Sequence, residues 1–259
     1  MQNIFDFHTH AYPEEIATKA VEFLNDYYHV NCNGLGTIED LKESAKEMNV
    51  NYFLIHAVAT KPTQVENVNS WIASHISSNI IGFGSIHPLY EHIETELDRI
   101  KDLGLRGIKL HPDFQGFNID DPMMDIIYAK AEGNLPILFH VGDLNSDFSS
   151  PKRLANVVER YPNLTVIAAH LGGYSVWDDG LKYLSGKNIY VDTSSSLWCM
   201  EPEVALKIIH TFGVDHVLFG TDYPLVRHSK ELKSFNKLAL TDDEKKLILF
   251  ENAKKLLKL

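Results

Sequence analysis

The chain is poor in cysteine. Cys32 and Cys199 are its only thiols in 259 residues, far apart and without a Cys-x-x-Cys pair. That excludes a disulfide-stapled scaffold and a thiolate metal cluster, and it leaves two reduced, non-catalytic thiols as the expectation. Basic residues are the minority charge: 24 Lys and Arg stand against 35 Asp and Glu, a formal net charge of -11 with no Lys/Arg tract to offset it. A general nucleic-acid or membrane-surface binder is therefore not expected. No apolar run approaches the roughly 20 residues of a membrane-spanning helix. The N-terminal residues carry Asp6, His8 and His10 where a secretory leader needs a basic start and an apolar run, so a cytoplasmic location is expected. A Gly-x-Ser-x-Gly elbow is missing, and neither cysteine ends a promising apolar run, which argues against nucleophilic catalysis. Gly172-Gly173 lacks the rest of a phosphate-cradling motif; its simpler role is to let backbone pass close by.

What is present is a regular alternation. Eight short apolar runs recur: Ile4 to Phe7, Tyr52 to Val58, Ile80 to Ile86, Gly107 to Leu110, Pro136 to His140, Thr165 to Ala169, Ile189 to Asp192 and Val217 to Phe219. From the second run on, successive starts are 24 to 29 residues apart, the length of one strand, one helix and two short loops. The intervening segments have helical period, as in Ile93, Leu97, Ile100 and Leu103, closed by Gly104 in a C-cap position, and Met124, Ile127, Tyr128 and Ala131. Runs such as Thr165 to Ala169 are almost continuously apolar, which suits a parallel sheet covered on both faces. Eight such units predict an α/β chain folded as one (β/α)8 TIM barrel, a single domain over 1–259; a doubly wound open sheet is the alternative. The 11–38 loop is long and predicts an extra helix after Pro13. A last helix, from Asp242 to about Leu256 with Thr241 or Asp242 as N-cap, is expected to pack Leu247, Phe250 and Leu257 on the outside.

The polar residues fall where runs stop. Phe5-Asp6-Phe7-His8-Thr9-His10 places His8 and His10 two residues apart on a strand, so both imidazoles face one point, a metal-ligand geometry. The fourth run ends in Lys109 and His111, the fifth in His140, the sixth in His170, and the eighth in Asp222. In a barrel those ends form the catalytic face. Singly, each has a bland reading as a hydrogen-bonded histidine or a turn-forming aspartate; jointly, they make a site. His56 and His87 lie near the second and third strand ends without an evident chemical partner, so they read as structural or pocket-lining. His29, His75, His92, His210, His216 and His228 fall in presumed helices or loops and read as solvated. Tyr12, Tyr27 and Tyr28 of the long first loop, and Trp198 after the seventh strand, are candidates to cover or wall the pocket. Arg227 reads as a solvated loop residue, or else as a carboxylate-binding group.

These segments resemble the amidohydrolase superfamily, specifically the amidohydrolase-2 group of aminocarboxymuconate semialdehyde decarboxylase-like metal-dependent enzymes. Phe5-Asp6-Phe7-His8-Thr9-His10-Ala11-Tyr12-Pro13, Gly107-Ile108-Lys109-Leu110-His111-Pro112, Phe139-His140-Val141-Gly142, Ala169-His170-Leu171-Gly172-Gly173 and Phe219-Gly220-Thr221-Asp222-Tyr223-Pro224 resemble its strand motifs in order. Glu251-Asn252-Ala253-Lys254-Lys255-Leu256-Leu257 resembles its closing helix. The resemblance implies a distorted barrel with one divalent metal, Zn2+ first and Mn2+ second, on His8, His10, His140 and Asp222, with His170 beside the activated water. A binuclear site with a carboxylated Lys109, in which His140 and His170 hold the second ion, is the lesser alternative. Such a metal would supply a nucleophile from water without an activated Ser or Cys. His170 would orient the water or polarise a carbonyl, Asp222 would pass the proton, and Lys109 and His111 would grip substrate charge.

Three functions compete. The leading expectation is hydrolysis of a small amide, ester or lactone; the alternative is nonoxidative decarboxylation of an unsaturated or aromatic carboxylic acid at the same site. The third is a noncatalytic zinc-binding protein with a closed coordination shell. The expected partner is a small-molecule substrate, with no nucleic acid and no membrane; a homodimer is left open.

Overall fold

A computed structural model describes residues 3–259. Its strands in chain order are β1 Phe5–His10, β2 Tyr52–His56, β3 Ile80–Gly82, β4 Gly84–Ser85, β5 Ile108–Leu110, β6 Ile137–Phe139, β7 Val166–Ala168, β8 Tyr190–Asp192 and β9 Val217–Leu218. Every predicted apolar run holds a strand. The third run holds two, because pairing breaks at Phe83 between β3 and β4. Helices follow the strands, including Glu14–Tyr28 after Pro13, where the extra helix is expected, and Ile93–Asp102, with Gly104 just beyond it in the left-handed region at φ 81°.

The residues group into two compact units. Among the described residues the first comprises 3–56, 77–80 and 193–259; the second comprises 57–76 and 81–192.

In the first unit, β1 and β2 pair in parallel, with Thr9 opposite Ile55 and His10 opposite His56. The register of β1 against β2 shifts between Asp6 and Thr9; Phe5 and Phe7 lie together, with ring centroids 5.8 Å apart, and His8 and His10 both reach Asp222. Phe5 and Phe7 are wholly buried, each worth about 1.5–3 kcal/mol of transfer free energy. The chain returns beside β1 through residues 219–223: the Phe7 N–H donates to the Phe219 carbonyl at 2.8 Å, the His10 N–H to Tyr223 at 2.7 Å, and the Asp222 N–H to His8 at 2.9 Å. That return places Asp222 at the end of the strand that carries both histidines.

The C-terminal helix opens with the expected Thr241 cap, its hydroxyl accepting from the Glu244 N–H while Glu244 reaches back to the Thr241 N–H. Its buried face differs from the expected one. Residues Leu247–Glu251 form a π-turn, and the Ile248 carbonyl accepts from the Phe219 N–H at 3.0 Å. The wider turn rotates the face, so Ile248, Leu249, Ala253 and Leu257 are buried while Leu247 and Phe250 are only half-buried.

In the second unit, β4, β5, β6, β7 and β8 pair in that order, all parallel. Ile108, Ile137, Ile167 and Val191 are wholly buried, as strands covered on both faces require. Buried polar groups near β4 are paired: the Asn69 amide donates to the Ser85 carbonyl and to Glu96 Oε1, and Gln115 donates to the Ala59 and Ile86 carbonyls. Among the described residues no helix is long and apolar enough to cross a membrane.

Candidate metal centre and active site

His8, His10 and Asp222 come together in the first unit. Asp222 Oδ1 lies 3.4 Å from His8 Nε2 and 3.3 Å from His10 Nε2. Ligand atoms held at about 2.0–2.1 Å from one zinc-like ion in tetrahedral directions are about 3.3 Å apart. Two imidazole nitrogens and a carboxylate oxygen suit a divalent cation in donor chemistry, and each nitrogen-to-oxygen distance matches that spacing.

The surroundings fix these groups. Ser194 Oγ contacts His8 Nδ1 at 3.0 Å, so Nε2 is the edge presented to Asp222. Ser195 Oγ donates to Asp222 Oδ2 at 2.6 Å, which leaves Oδ1 as the oxygen turned to the imidazoles. Ser195 and Asp222 both adopt left-handed backbone, at φ 48° and 64°. Such strain in non-glycine residues persists where surrounding contacts over-determine it, commonly at functional sites. Gly220 lets this segment approach: a Cβ there would stand 2.8 Å from the His8 Cβ.

His56 belongs to this cluster, which corrects its reading as a residue without a chemical partner. Its ring lies edge-on to His8 and His10, with centroids 4.8 and 4.3 Å away, and the three imidazoles form a possible ligand group. The signal for it is register: His56 is directly opposite His10 across the β1–β2 pair. Tyr12 also lies beside His10, at 6.4 Å between ring centroids; burial and then the Asp222 charge push its hydroxyl pKa upward. Tyr27 is exposed on the helix Glu14–Tyr28 and contacts Phe23 and Tyr28.

Below the cluster sits a second correction. His228, read as solvated, is wholly buried, with Nε2 3.1 Å from Asp6 Oδ2 and Nδ1 2.8 Å from Ser44 Oγ. Asp6 also accepts from the His8 N–H, the Thr221 N–H and the Thr221 hydroxyl. Glu231, wholly enclosed nearby, has its pKa raised well above the ordinary value by burial and then by the charges of Asp6 and Asp222. Arg227 is not a free loop cation: it pairs with Asp40 at 2.8 Å and Glu47 at 3.5 Å. Trp198 lies under the Lys230 ammonium at 4.5 Å. Burial pushes the Cys32 and Cys199 thiols up to about 11, so both stay protonated at neutral pH and are poor nucleophiles, as expected for non-catalytic thiols.

In the second unit, His140 and His170 come together, with His140 Nδ1 3.0 Å from His170 Nε2. His170 is held by its N–H to Asp192 Oδ1 at 3.1 Å and by the Trp177 indole N–H to its carbonyl at 3.0 Å. Its backbone, like that of Leu171, is left-handed, at φ 61° and 52°. Gly172 and Gly173 serve close approach, as their pairing suggests: a Cβ on Gly173 would stand 2.9 Å from the Val176 carbonyl oxygen, and one on Gly180 would stand 2.7 Å from that of Gly172. His111 stacks between Phe114 and His140, with centroids at 3.7 and 3.9 Å. Lys109, on β5, is wholly buried. Asp113 was not a sequence candidate, yet its enclosed carboxylate joins His111 and His140 in a second possible ligand group. The only sequence signal for it is an acid two residues beyond His111. Burial raises its pKa. His87, with burial lowering its pKa and Nδ1 accepting from the Leu89 N–H, has the features of a structural histidine.

Comparison with known proteins shows the family and the fold. The Amidohydrolase family model (Amidohydro_2) matches residues 6–259. A curated relative, the decarboxylase orsB of Emericella nidulans, is 25% identical over 63% of this chain and 65% of its own length, so the match spans just under two thirds of that relative. A TIM-barrel protein of Bordetella bronchiseptica superposes with a TM-score of 0.79 at 18% identity, over 99% of this chain and 98% of that one. A dihydroxybenzoic acid decarboxylase from Polaromonas sp. JS666, solved with manganese and the inhibitor 2-nitroresorcinol, gives 0.78 at 18% identity over 100% and 98%. The fold is thus the (β/α)8 barrel expected from the strand spacing. With its family model matched from Asp6 to the last residue, the chain belongs to the amidohydrolase family.

Proposed function

We propose that this protein is a metal-dependent nonoxidative decarboxylase of a small aromatic or unsaturated carboxylic acid. The observation that carries the proposal is the convergence of His8 Nε2 and His10 Nε2 on Asp222 Oδ1 at 3.4 and 3.3 Å. The orsB relative and the Polaromonas neighbour support decarboxylation over hydrolysis; the hydrolytic reading has support at the level of the superfamily. The dihydroxybenzoic acid in the name of the Polaromonas enzyme points to a hydroxylated aromatic acid. When bound, a divalent ion supplies Lewis-acid charge to the substrate's oxygens and lowers the pKa of water. Manganese in the Polaromonas enzyme and the nitrogen-rich donor set here make Mn2+ and Zn2+ the candidates.

The residues' work is to bind, orient and move one proton. In the net reaction the ring carbon gains a proton, its bond to the carboxylate breaks, and the electron pair of that bond restores the ring as carbon dioxide leaves. Asp222, oriented by Ser195, is the proposed carrier of that proton. His170, joined to His140, is the proposed proton-transfer partner. Lys109 and His111 are proposed to offset substrate charge. A small-molecule substrate, with neither nucleic acid nor membrane as partner, is part of this proposal.

The test is to load the purified protein with Mn2+ or Zn2+ and offer hydroxybenzoates and lactones in deuterated water. Decarboxylation releases carbon dioxide and leaves one deuterium on the vacated carbon. Ring opening of lactones without carbon dioxide would instead establish hydrolysis, and turnover of neither class would leave the noncatalytic zinc reading.

A further inference from the structure

Asp113 is an unusual group for its surroundings. Its side chain is wholly enclosed, with the Ser146 and Ser149 hydroxyls as the nearby donors to its carboxylate. Two imidazole edges also face it in electrostatic contact, His111 Nδ1 and His140 Nε2, each 3.9 Å from the same oxygen, Oδ2. Those rings cannot swing away. They are stacked within 9° of parallel at 3.9 Å, and Phe114 closes the far side of His111 within 3° at 3.7 Å.

The His140 Nε2 edge has a second neighbour, the Gly142 carbonyl at 3.1 Å. A carbonyl only accepts, so Nε2 carries the proton and Nδ1, which faces His170, is the lone-pair nitrogen. That carbonyl is itself fixed. Gly142 sits at φ 90°, where a Cβ would stand 2.6 Å from the Tyr174 backbone nitrogen, so no side chain is tolerated there. The Val141 carbonyl beside it accepts from the Tyr174 N–H at 2.8 Å.

We infer that Asp113 is a positioning residue for His140: with the Gly142 carbonyl, its enclosed carboxylate holds the imidazole in the Nε2–H tautomer and in one orientation, presenting Nδ1 as the reacting or ligating nitrogen. The inference deepens the proposed function and rests on it where His140 is taken as a metal ligand. A ligating histidine whose far nitrogen donates to a carboxylate or carbonyl has its tautomer and orientation set and its basicity raised, and loss of such a partner costs about 10–100-fold in metal affinity.

The experiment uses full-length protein, wild type, Asp113→Asn and Asp113→Glu, with histidine side chains labelled in 15N and the His140 signal assigned by its loss in His140→Gln. Two quantities are read: the His140 tautomer in the metal-free and zinc-loaded protein, and zinc affinity by chelator competition. The expected result is an Nε2–H tautomer in wild type, a mixed or altered one in Asp113→Asn, about 10–100-fold weaker zinc binding in that variant, and partial recovery in Asp113→Glu. An unchanged tautomer in a folded Asp113→Asn protein overturns the inference whatever the metal result. If wild type binds no divalent ion, the metal reading fails on its own, and the tautomer still decides the role of Asp113.

Discussion

At the scale of single residues, the candidate site is a set of hydrogen-bonded commitments. Ser194 and Ser195 each use a hydroxyl to aim a site group, His8 and Asp222 respectively. His8→Ala and Asp222→Asn are therefore expected to lose bound metal and turnover together while the fold persists; elemental analysis beside far-ultraviolet circular dichroism checks this, and a variant that unfolds on losing the metal would indicate a structural ion instead. Asp6 and His228 make a different commitment, since both are wholly buried and face each other at 3.1 Å. Removing His228 leaves Asp6 enclosed with its three other donors but without the imidazole, a change that costs about 1–3 kcal/mol. The expected outcome for His228→Ala is a loss of that order in urea denaturation, and a loss below about 1 kcal/mol would mean the pair is not coupled. His8 and His10 were legible in the sequence because a strand's period of two is local. His228 was misread because nothing local to residue 228 says that residue 6 will lie against it.

At the scale of elements, the helix Ile38–Glu47 is tied down through Asp40, which accepts from the Tyr223 hydroxyl at 2.5 Å, the Leu35 N–H at 2.9 Å and Arg227 at 2.8 Å. Burial alone would raise the Asp40 carboxyl, but those donors outweigh it and hold its pKa below the ordinary value. A carboxylate depressed in the folded state adds stability above its unfolded pKa, about 3.9, and loses it as pH falls through the lower folded value. Asp40→Asn is thus expected to be less stable than wild type at pH 7, with the gap closing as pH drops below about 4. Urea midpoints across pH test it, and a gap constant down to pH 3 would contradict the linkage. Element positions were largely readable from the sequence, since all eight apolar runs hold strands. The face of the last helix was not, because the π-turn at Leu247–Glu251 accompanies a hydrogen bond from Phe219, a tertiary cause invisible to helical periodicity.

At the scale of the whole molecule, a metal bound only by the folded chain must stabilise it. Free ion at 100 times its dissociation constant adds about 2.7 kcal/mol, and a chain of this size shifts by about 2–4 °C in Tm per kcal/mol. Adding Mn2+ or Zn2+ to chelator-stripped wild type is expected to raise Tm by about 5–10 °C and to leave His8→Ala unmoved; an equal rise in both would place the ion elsewhere. What the sequence by itself determined is whatever follows from local pattern: strands where apolar runs recur, helices between them, histidines and an aspartate at the run ends, and through their order the family. What only the tertiary structure decided is which of those groups meet. His56 joins His8 and His10 through strand register, His228 lies against Asp6, and Asp113 faces His111 and His140. Register and chain return are settled by packing over the whole core, so pairings between residues far apart in sequence carry no short-range signal.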